Sequence, residues 1–219
     1  MAIGEKVRAR VADGSRPGSL GHSARAKRAA KLVELFPGLA DMHVLDLGGE
    51  PAFWRGFAVR PTSVTTLNLL SFEPEEPWLQ TFVGDACEPP AAVLARSYDL
   101  AISNSVIEHV GGHVPRQKFA DVVHRAADRH WVQTPYRYFP VEPHWVFPAM
   151  QFLPLRLRAE VTRRWPLSPG RADNLPEAIA NAASVELISI TDMRAYFPGS
   201  ELWYERAGGL VKSVTAYRS

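Results

Sequence analysis

Residues 43–50, His-Val-Leu-Asp-Leu-Gly-Gly-Glu, constrain this chain most: a short apolar run closes on Asp46 and turns at Gly48-Gly49. Such a run, bounded by turn residues, has the character of a strand buried on both faces of a parallel sheet. Paired glycines let the backbone approach a ligand where any Cβ would collide. Ligands of open α/β sheets bind just outside the carboxyl ends of the strands. Asp46, Gly48 and Gly49 are therefore the first candidate binding residues.

The rest of the chain repeats this strand-and-turn pattern. Residues 1–20, rich in Gly, Ser and Arg and without periodicity, are expected to be a mobile N-terminal segment. Ser23 is a candidate N-cap for a helix over Ala24–Leu35, whose apolar positions recur at helical spacing until Pro37-Gly38 stops it. Strands are expected at His43–Leu47, Val64–Leu69, Gln80–Val83, Tyr98–Ser103 and His130–Thr134, with a helix over Arg116–Ala127 before the fifth. A short helix at Thr191–Phe197 precedes a hairpin, Glu201–Arg206 and Leu210–Tyr217, turning at Gly208-Gly209. Residues 135–180 break the alternation with prolines, aromatics and a basic amphipathic piece, Leu153–Arg164, which suits a solvated lid helix. The expectation is a Rossmann-like, doubly wound α/β fold with a seven-stranded, mostly parallel sheet whose last strand is antiparallel. Residues 21–219 would form one domain, carrying a lid or acceptor insertion at 135–180.

At 219 residues and 46% apolar content the chain can bury a sizeable core, and a formal net charge of +2 calls for neither nucleic acid nor an anionic membrane. Cys87, the single cysteine, excludes an internal disulfide and fits a reducing compartment. No apolar run approaches the roughly 18 residues of a membrane span, and no secretory h-region is present. A cytoplasmic protein is expected, with no membrane span; a homodimer is allowed.

Four strand-end signals line up: Asp46-Leu-Gly-Gly, Asn68, Gly84-Asp85-Ala86-Cys87 and Ser103-Asn104-Ser105. In this combination the chain resembles the class I S-adenosylmethionine-dependent methyltransferases, over residues 20–135 and the last two strands. The resemblance implies S-adenosyl-L-methionine as cofactor and a cofactor-binding role for each signal. Gly48 and Gly49 would contact the methionine portion and Asp46 would hold its amino group. Asp85 would accept from the adenine amino group, with backbone contacts from Ala86 and Cys87. Ser103 and Asn104 would line the methionine side. Two departures stand out: Glu50-Pro51 replaces the end of the usual Gly-x-Gly, and Asn68 stands where an acid often grips the ribose hydroxyls.

Ser105-Val-Ile-Glu108-His109 follows the fourth strand; on a helical turn Ser105, Glu108 and His109 would share one side. This stretch resembles the Glu-x-x-Glu-His run of magnesium-dependent ubiquinone-pathway O-methyltransferases and of plant small-RNA 2′-O-methyltransferases, with Ser105 in place of the first acid. That likeness implies Glu108 and His109 as metal ligands, His144 as the downstream ligand, and Mg2+ as an optional second cofactor.

Gln133, Tyr136, Tyr138, Glu142 and Trp145 lie in a proline- and aromatic-rich run expected to form the acceptor wall, rings stacking on a sugar face while polar groups read hydroxyls. A hydroxyl must lose its proton before it attacks, so a base is needed; His144 is the candidate and His113 the reserve. His22, His43, His124 and His130 are read as structural. The run and the short chain look similar to actinobacterial sugar O-methyltransferases. The expected function is O-methylation of a small-molecule, mannoside-type hydroxyl, with a saccharide as partner and no nucleic acid. The competing readings are a phenol or quinone-precursor O-methyltransferase, a nucleic-acid 2′-O-methyltransferase, and a catalytically silent cofactor-binding subunit.

Overall fold

The computed structural model of the protein describes residues 19–73, 76–169 and 172–219. The expected mobile segment at 1–20 lies, but for its last two residues, outside the described residues. The described chain divides into two compact units: a sheet unit of residues 32–136 and 188–219, and a smaller unit of residues 137–187 with those up to Lys31. The smaller unit reaches Leu187, and Val185 and Leu187 pack with Trp145 and Met150 in its own core.

Helix α1 covers Leu20–Leu35. It starts before the expected Ser23, which lies inside it; Ser19 is the residue whose hydroxyl accepts from the His22 amide at 2.9 Å. There follow β1 (His43–Leu47), α2 (Pro51–Arg55), β2 (Ser63–Asn68), β3 (Leu79–Val83), α3 (Ala91–Leu94), β4 (Leu100–Asn104), α4 (His113–Ala126) and β5 (Arg129–Pro135). The smaller unit contributes β6 (Val141–Glu142), β7 (Phe147–Pro148), α5 (Leu155–Arg164) and α6 (Leu175–Ala183). The sheet unit closes with α7 (Ile190–Tyr196), β8 (Glu201–Ala207) and β9 (Leu210–Arg218).

The seven-stranded sheet runs β3-β2-β1-β4-β5-β9-β8. β1 to β5 are mutually parallel, whereas β9 pairs antiparallel with both β5 and β8. Register aligns the carboxyl ends: Asp46 lies beside Thr66 and Ile102, Asn68 beside Val83, and Asn104 beside Gln133. The hairpin turns through Gly208 and Gly209, both at positive φ, as a tight primed turn requires. Both sheet faces are buried, so neighbouring residues of one strand enter different cores. Leu45, Leu47 and Ala101 pack with Phe119, Val123 and Phe197, while Val44, Leu100 and Ile102 pack with Leu32, Phe36 and Trp54. Asp46 shares the face of Val44, which brings it to Trp54.

In the smaller unit, α5 turns Ala159 and Thr162 inward and leaves Arg163 and Arg164 to pair with Glu160 at 3.5 and 3.3 Å. The basic stretch is the solvated helix expected. Among the described residues no helix is long and apolar enough to cross a membrane.

His130 on β5 is buried, its Nε2 2.8 Å from the Ser200 hydroxyl. Burial, helped by the charges of His124 and Arg218, pulls its pKa down from 6.5 to about 4. The unfolded chain takes up this proton near pH 6.5 and the folded one only near 4, so stability contributed by neutral His130 is intact above pH 6.5 and declines between 6.5 and 4. Urea denaturation across this window should show that decline, and His130→Gln should flatten it; an unchanged slope in the variant would assign the acid sensitivity elsewhere.

Candidate functional site

The first βα turn is built around one buried carboxylate. Trp54 Nε1 donates to Asp46 Oδ2 at 2.7 Å. Burial, reinforced by the charge of Glu50 and opposed by this hydrogen bond, raises Asp46 to about 7. Gly49 lies so close that an added Cβ would sit 1.9 Å from Asp46 Oδ2; Gly48, at φ +80°, would place one 2.3 Å from Val106 Cγ2. The Glu50-Pro51 departure has a local reason. Glu50 is the extended N-cap of α2 and Pro51 occupies its first turn, and this short helix presents Trp54 to Asp46. Trp54 was not singled out from sequence; its eight-residue offset from a buried strand-end aspartate is the signal that could have marked it.

Asn68 reaches the same rim but departs from the role expected. Its amide donates to the Gly48 and Gly49 carbonyls at 2.9 and 3.2 Å, and its Oδ1 accepts from the Leu70 amide at 3.0 Å. Both amide hydrogens are spent, so Asn68 locks the glycine loop and retains only a lone pair for a diol. Asp85 Oδ1 accepts from the Cys87 amide at 2.8 Å, the Asx-turn geometry of a short loop. Ala86 and Cys87 are nearly buried. The Cys87 thiol lies 3.3 Å from the Pro115 carbonyl, and burial together with Asp85 pushes it up to about 11. It is a packed thiol held in its protonated form. Ser103 is fully buried, and its hydroxyl donates to the Leu47 carbonyl at 2.9 Å, stitching β4 to β1 in place of the ligand-lining role expected. Asn104, half-buried, accepts from Trp131 Nε1 at 3.1 Å.

After β4 the chain forms turns and not the helical turn expected, so Ser105, Glu108 and His109 do not share a helix face. Ser105, at φ +56°, gives its hydroxyl to Gln133 Oε1 at 3.1 Å and its amide to the Gln133 carbonyl at 2.9 Å. Gln133 is thereby buried and engaged, which removes it from an acceptor wall. Glu108 is buried and takes a hydrogen bond from the Thr134 hydroxyl at 2.9 Å. A Glu108 carboxylate oxygen and a ring nitrogen of the exposed His109 come within 4.8 Å of one another. His113, the reserve base, starts α4 with Nδ1 2.8 Å from the Tyr196 hydroxyl, a partner that anchors the helix start.

In the smaller unit, β6 and β7 pair Glu142 with Phe147, and His144 sits in the turn between them. Glu142 is buried: one oxygen meets His144 Nδ1 at 2.6 Å and the other accepts the Trp145 amide at 2.8 Å. The Glu142 carboxylate at Nδ1 fixes the orientation of this half-buried imidazole. Val146 holds a positive φ, so the turn is a strained, non-glycine one. Trp145 is a further correction. It is 1% exposed and donates its indole N–H to Thr162 Oγ1 at 2.9 Å, a core anchor that offers no face to a sugar. Tyr138 is exposed and lies against Phe152, ring centroids 5.8 Å apart. Tyr136 ends the sheet unit, its amide bonded to the Lys212 carbonyl at 2.9 Å. Glu108 and His109 thus belong to the sheet unit and Glu142 and His144 to the smaller one.

No protein-family model and no curated protein matches this sequence. Solved structures do match the fold. The N-terminal domain of EvdMO1, determined in the presence of SAH and D-fucose, gives a TM-score of 0.54 at 17% identity, covering 99% of this chain and 97% of that one. The DhpI–SAH complex gives 0.54 at 15% identity, over 98% and 93%. N-methyltransferase NodS from Bradyrhizobium japonicum WM9 gives 0.50 at 12% identity, over 89% and 95%. The shared architecture is the Rossmann-like methyltransferase fold.

Gly49→Ala should drive a Cβ into the Asp46 carboxylate and cost about 1–3 kcal/mol of stability by urea unfolding. Gly112→Ala, at φ −72° with nothing within 4 Å of its Cβ position, should cost less than about 1 kcal/mol. Equal costs would contradict the crowding at Gly49.

Proposed function

We propose that this chain is an S-adenosylmethionine-dependent O-methyltransferase acting on a hydroxyl of a small saccharide. The observation that carries the reading is the shared rim: the parallel register delivers Asp46, Gly48-Gly49, Asn68, Asp85 and Asn104 to one edge of the sheet. Neighbours of the same fold crystallised with SAH support the donor, and the EvdMO1 domain's pairing of SAH with D-fucose supports a sugar.

When bound, S-adenosylmethionine supplies an electrophilic methyl group for in-line displacement, so the protein's task is alignment and proton removal. Asp46, ionised, accepts from the donor's ammonium group, with Trp54 fixing the carboxylate. The glycine loop, locked by Asn68, admits the methionine portion, and Asp85 with the Ala86–Cys87 backbone reads the adenine. His144 Nε2 takes the acceptor hydroxyl's proton while Glu142 holds Nδ1–H and stabilises the imidazolium that forms. The need for such a base favours a hydroxyl over an amine as acceptor.

A divalent cation on Glu108 and His109 is the second reading, favoured by the close approach of the Glu108 carboxylate and the His109 ring. A carboxylate beside an imidazole suits Mn2+ or Zn2+ better than Mg2+, which prefers oxygen ligands. Phenolic acceptors and a silent binding subunit are the other outcomes of the assays below.

Titration calorimetry with adenosylhomocysteine should show affinity rising through pH 7 and levelling above it, as Asp46 loses its proton. Asp46→Asn should abolish that rise and weaken binding about 10- to 100-fold; a pH dependence surviving in the variant would contradict the assignment. Methyl transfer from labelled donor to a panel of saccharides and phenols tests the reaction. His144→Ala should lower kcat about 10²- to 10⁴-fold with adenosylhomocysteine affinity unchanged. Turnover lost on EDTA treatment and restored by Mn2+ would favour the cation over the base.

A further inference from the structure

The smaller unit contains a cavity of about 280 Å³, lined wholly by its own residues. Its walls carry two guanidinium groups, Arg137 and Arg158, and two carboxylates, Glu142 and Glu186. Gln151 and Leu155 complete the mixture of polar and apolar surface.

Two polar atoms of these lining residues are closed off from solvent and have no hydrogen-bond partner among the described residues: Arg158 Nε, a donor, and Gln151 Oε1, an acceptor. The rest of each side chain is fixed. Arg158 Nη2 donates to the carbonyls of Ala182 and Val185, the latter at 2.8 Å. Gln151 Nε2 donates to the carbonyls of Arg137 and Phe139 at 2.8 and 2.9 Å. Each residue is thereby held with one polar atom left over. Both side chains are thereby fixed in place, so this part of the wall is preorganised for a ligand.

We propose that this cavity is the acceptor subsite and takes a neutral, hydroxyl-rich ring of monosaccharide size. A sugar hydroxyl both donates and accepts, which matches a wall that carries guanidinium donors, carboxylate acceptors and a carboxamide together. The lining's formal charges balance, and the buried Glu142 opposes a phosphate dianion. The volume lies at the lower bound of about 300 Å³ for ligand pockets, which excludes large fused-ring acceptors. Glu142 links the subsite to the chemistry, because the carboxylate on the cavity wall is also the partner of His144 Nδ1. The inference rests on the saccharide reading above and adds where the ring is recognised: by Arg158, Gln151 and Glu186, and not by Trp145.

Saturation-transfer NMR on the full chain without methyl donor, using D-mannose, D-fucose, glucose 1-phosphate and catechol, tests it. At least one neutral sugar should bind, ahead of the phosphorylated sugar and catechol. Glu186→Gln, and separately Leu155→Trp to fill the cavity, should weaken that binding at least tenfold. Each variant should retain the parent's adenosylhomocysteine affinity, which certifies that it is folded. Sugar binding that survives both changes, preference for catechol or the phosphorylated sugar, or no sugar binding by a chain that binds adenosylhomocysteine would each overturn the inference. Sugar binding without adenosylhomocysteine binding would instead sink the methyltransferase reading and leave the subsite standing.

Discussion

The parallel register of β1 with β2 and β4 is the constraint from which the candidate site follows. It sets the carboxyl ends of the strands level, and the chain must leave each end by a tight turn into a helix or loop. At the end of β1 that turn is clamped from two sides. The Asn68 amide holds the Gly48 and Gly49 carbonyls, and the Asp46 carboxylate, wedged against Gly49, is held by Trp54. The result is a preorganised loop beside an aspartate whose charge the fold itself makes costly, as its raised pKa records. A cationic group brought to that aspartate would recover the cost, which is why a burial that weakens the empty fold can serve binding.

The smaller unit applies the same logic with different parts. Glu142 is buried with both oxygens engaged, so the His144 ring is fixed in one orientation by a partner that cannot swing away. The β-branched Val146 at positive φ shows that the turn is held against local preference by its surroundings. Trp145, the most conspicuous aromatic of this segment, sits inside the unit's core and supports the turn from beneath.

Much of the sheet unit was legible in the sequence because its strands are short apolar runs closed by turn residues, and that pattern follows directly from burial on both faces. Every strand of the large sheet was found within two residues, and Gly208-Gly209 marked the hairpin. Asp46, the glycines, Asp85 and Asn104 were placed on one rim by the same reasoning. What escaped was decided by direction and not by position. Period-two alternation turns Ser103 inward onto the Leu47 carbonyl, a face that a fully apolar strand does not reveal. Asn68 was read toward a ligand when its hydrogen bonds go to the loop. Ser105 at positive φ broke the helical turn on which the Ser105, Glu108 and His109 spacing argument depended. Gln151, Arg158 and Glu186 come together through the tertiary packing of α5 and α6, for which one-dimensional spacing carries no signal.

The central claim is that an adenosyl donor rests on the strand-end rim of the sheet unit. A crystal structure of the protein grown with adenosylhomocysteine tests it most directly. The account predicts the amino acid portion against Gly48-Gly49 with its ammonium toward Asp46, and the adenine beside Asp85. Adenosylhomocysteine bound elsewhere, or bound at the rim with Asp46 still closed off behind Trp54, would contradict it.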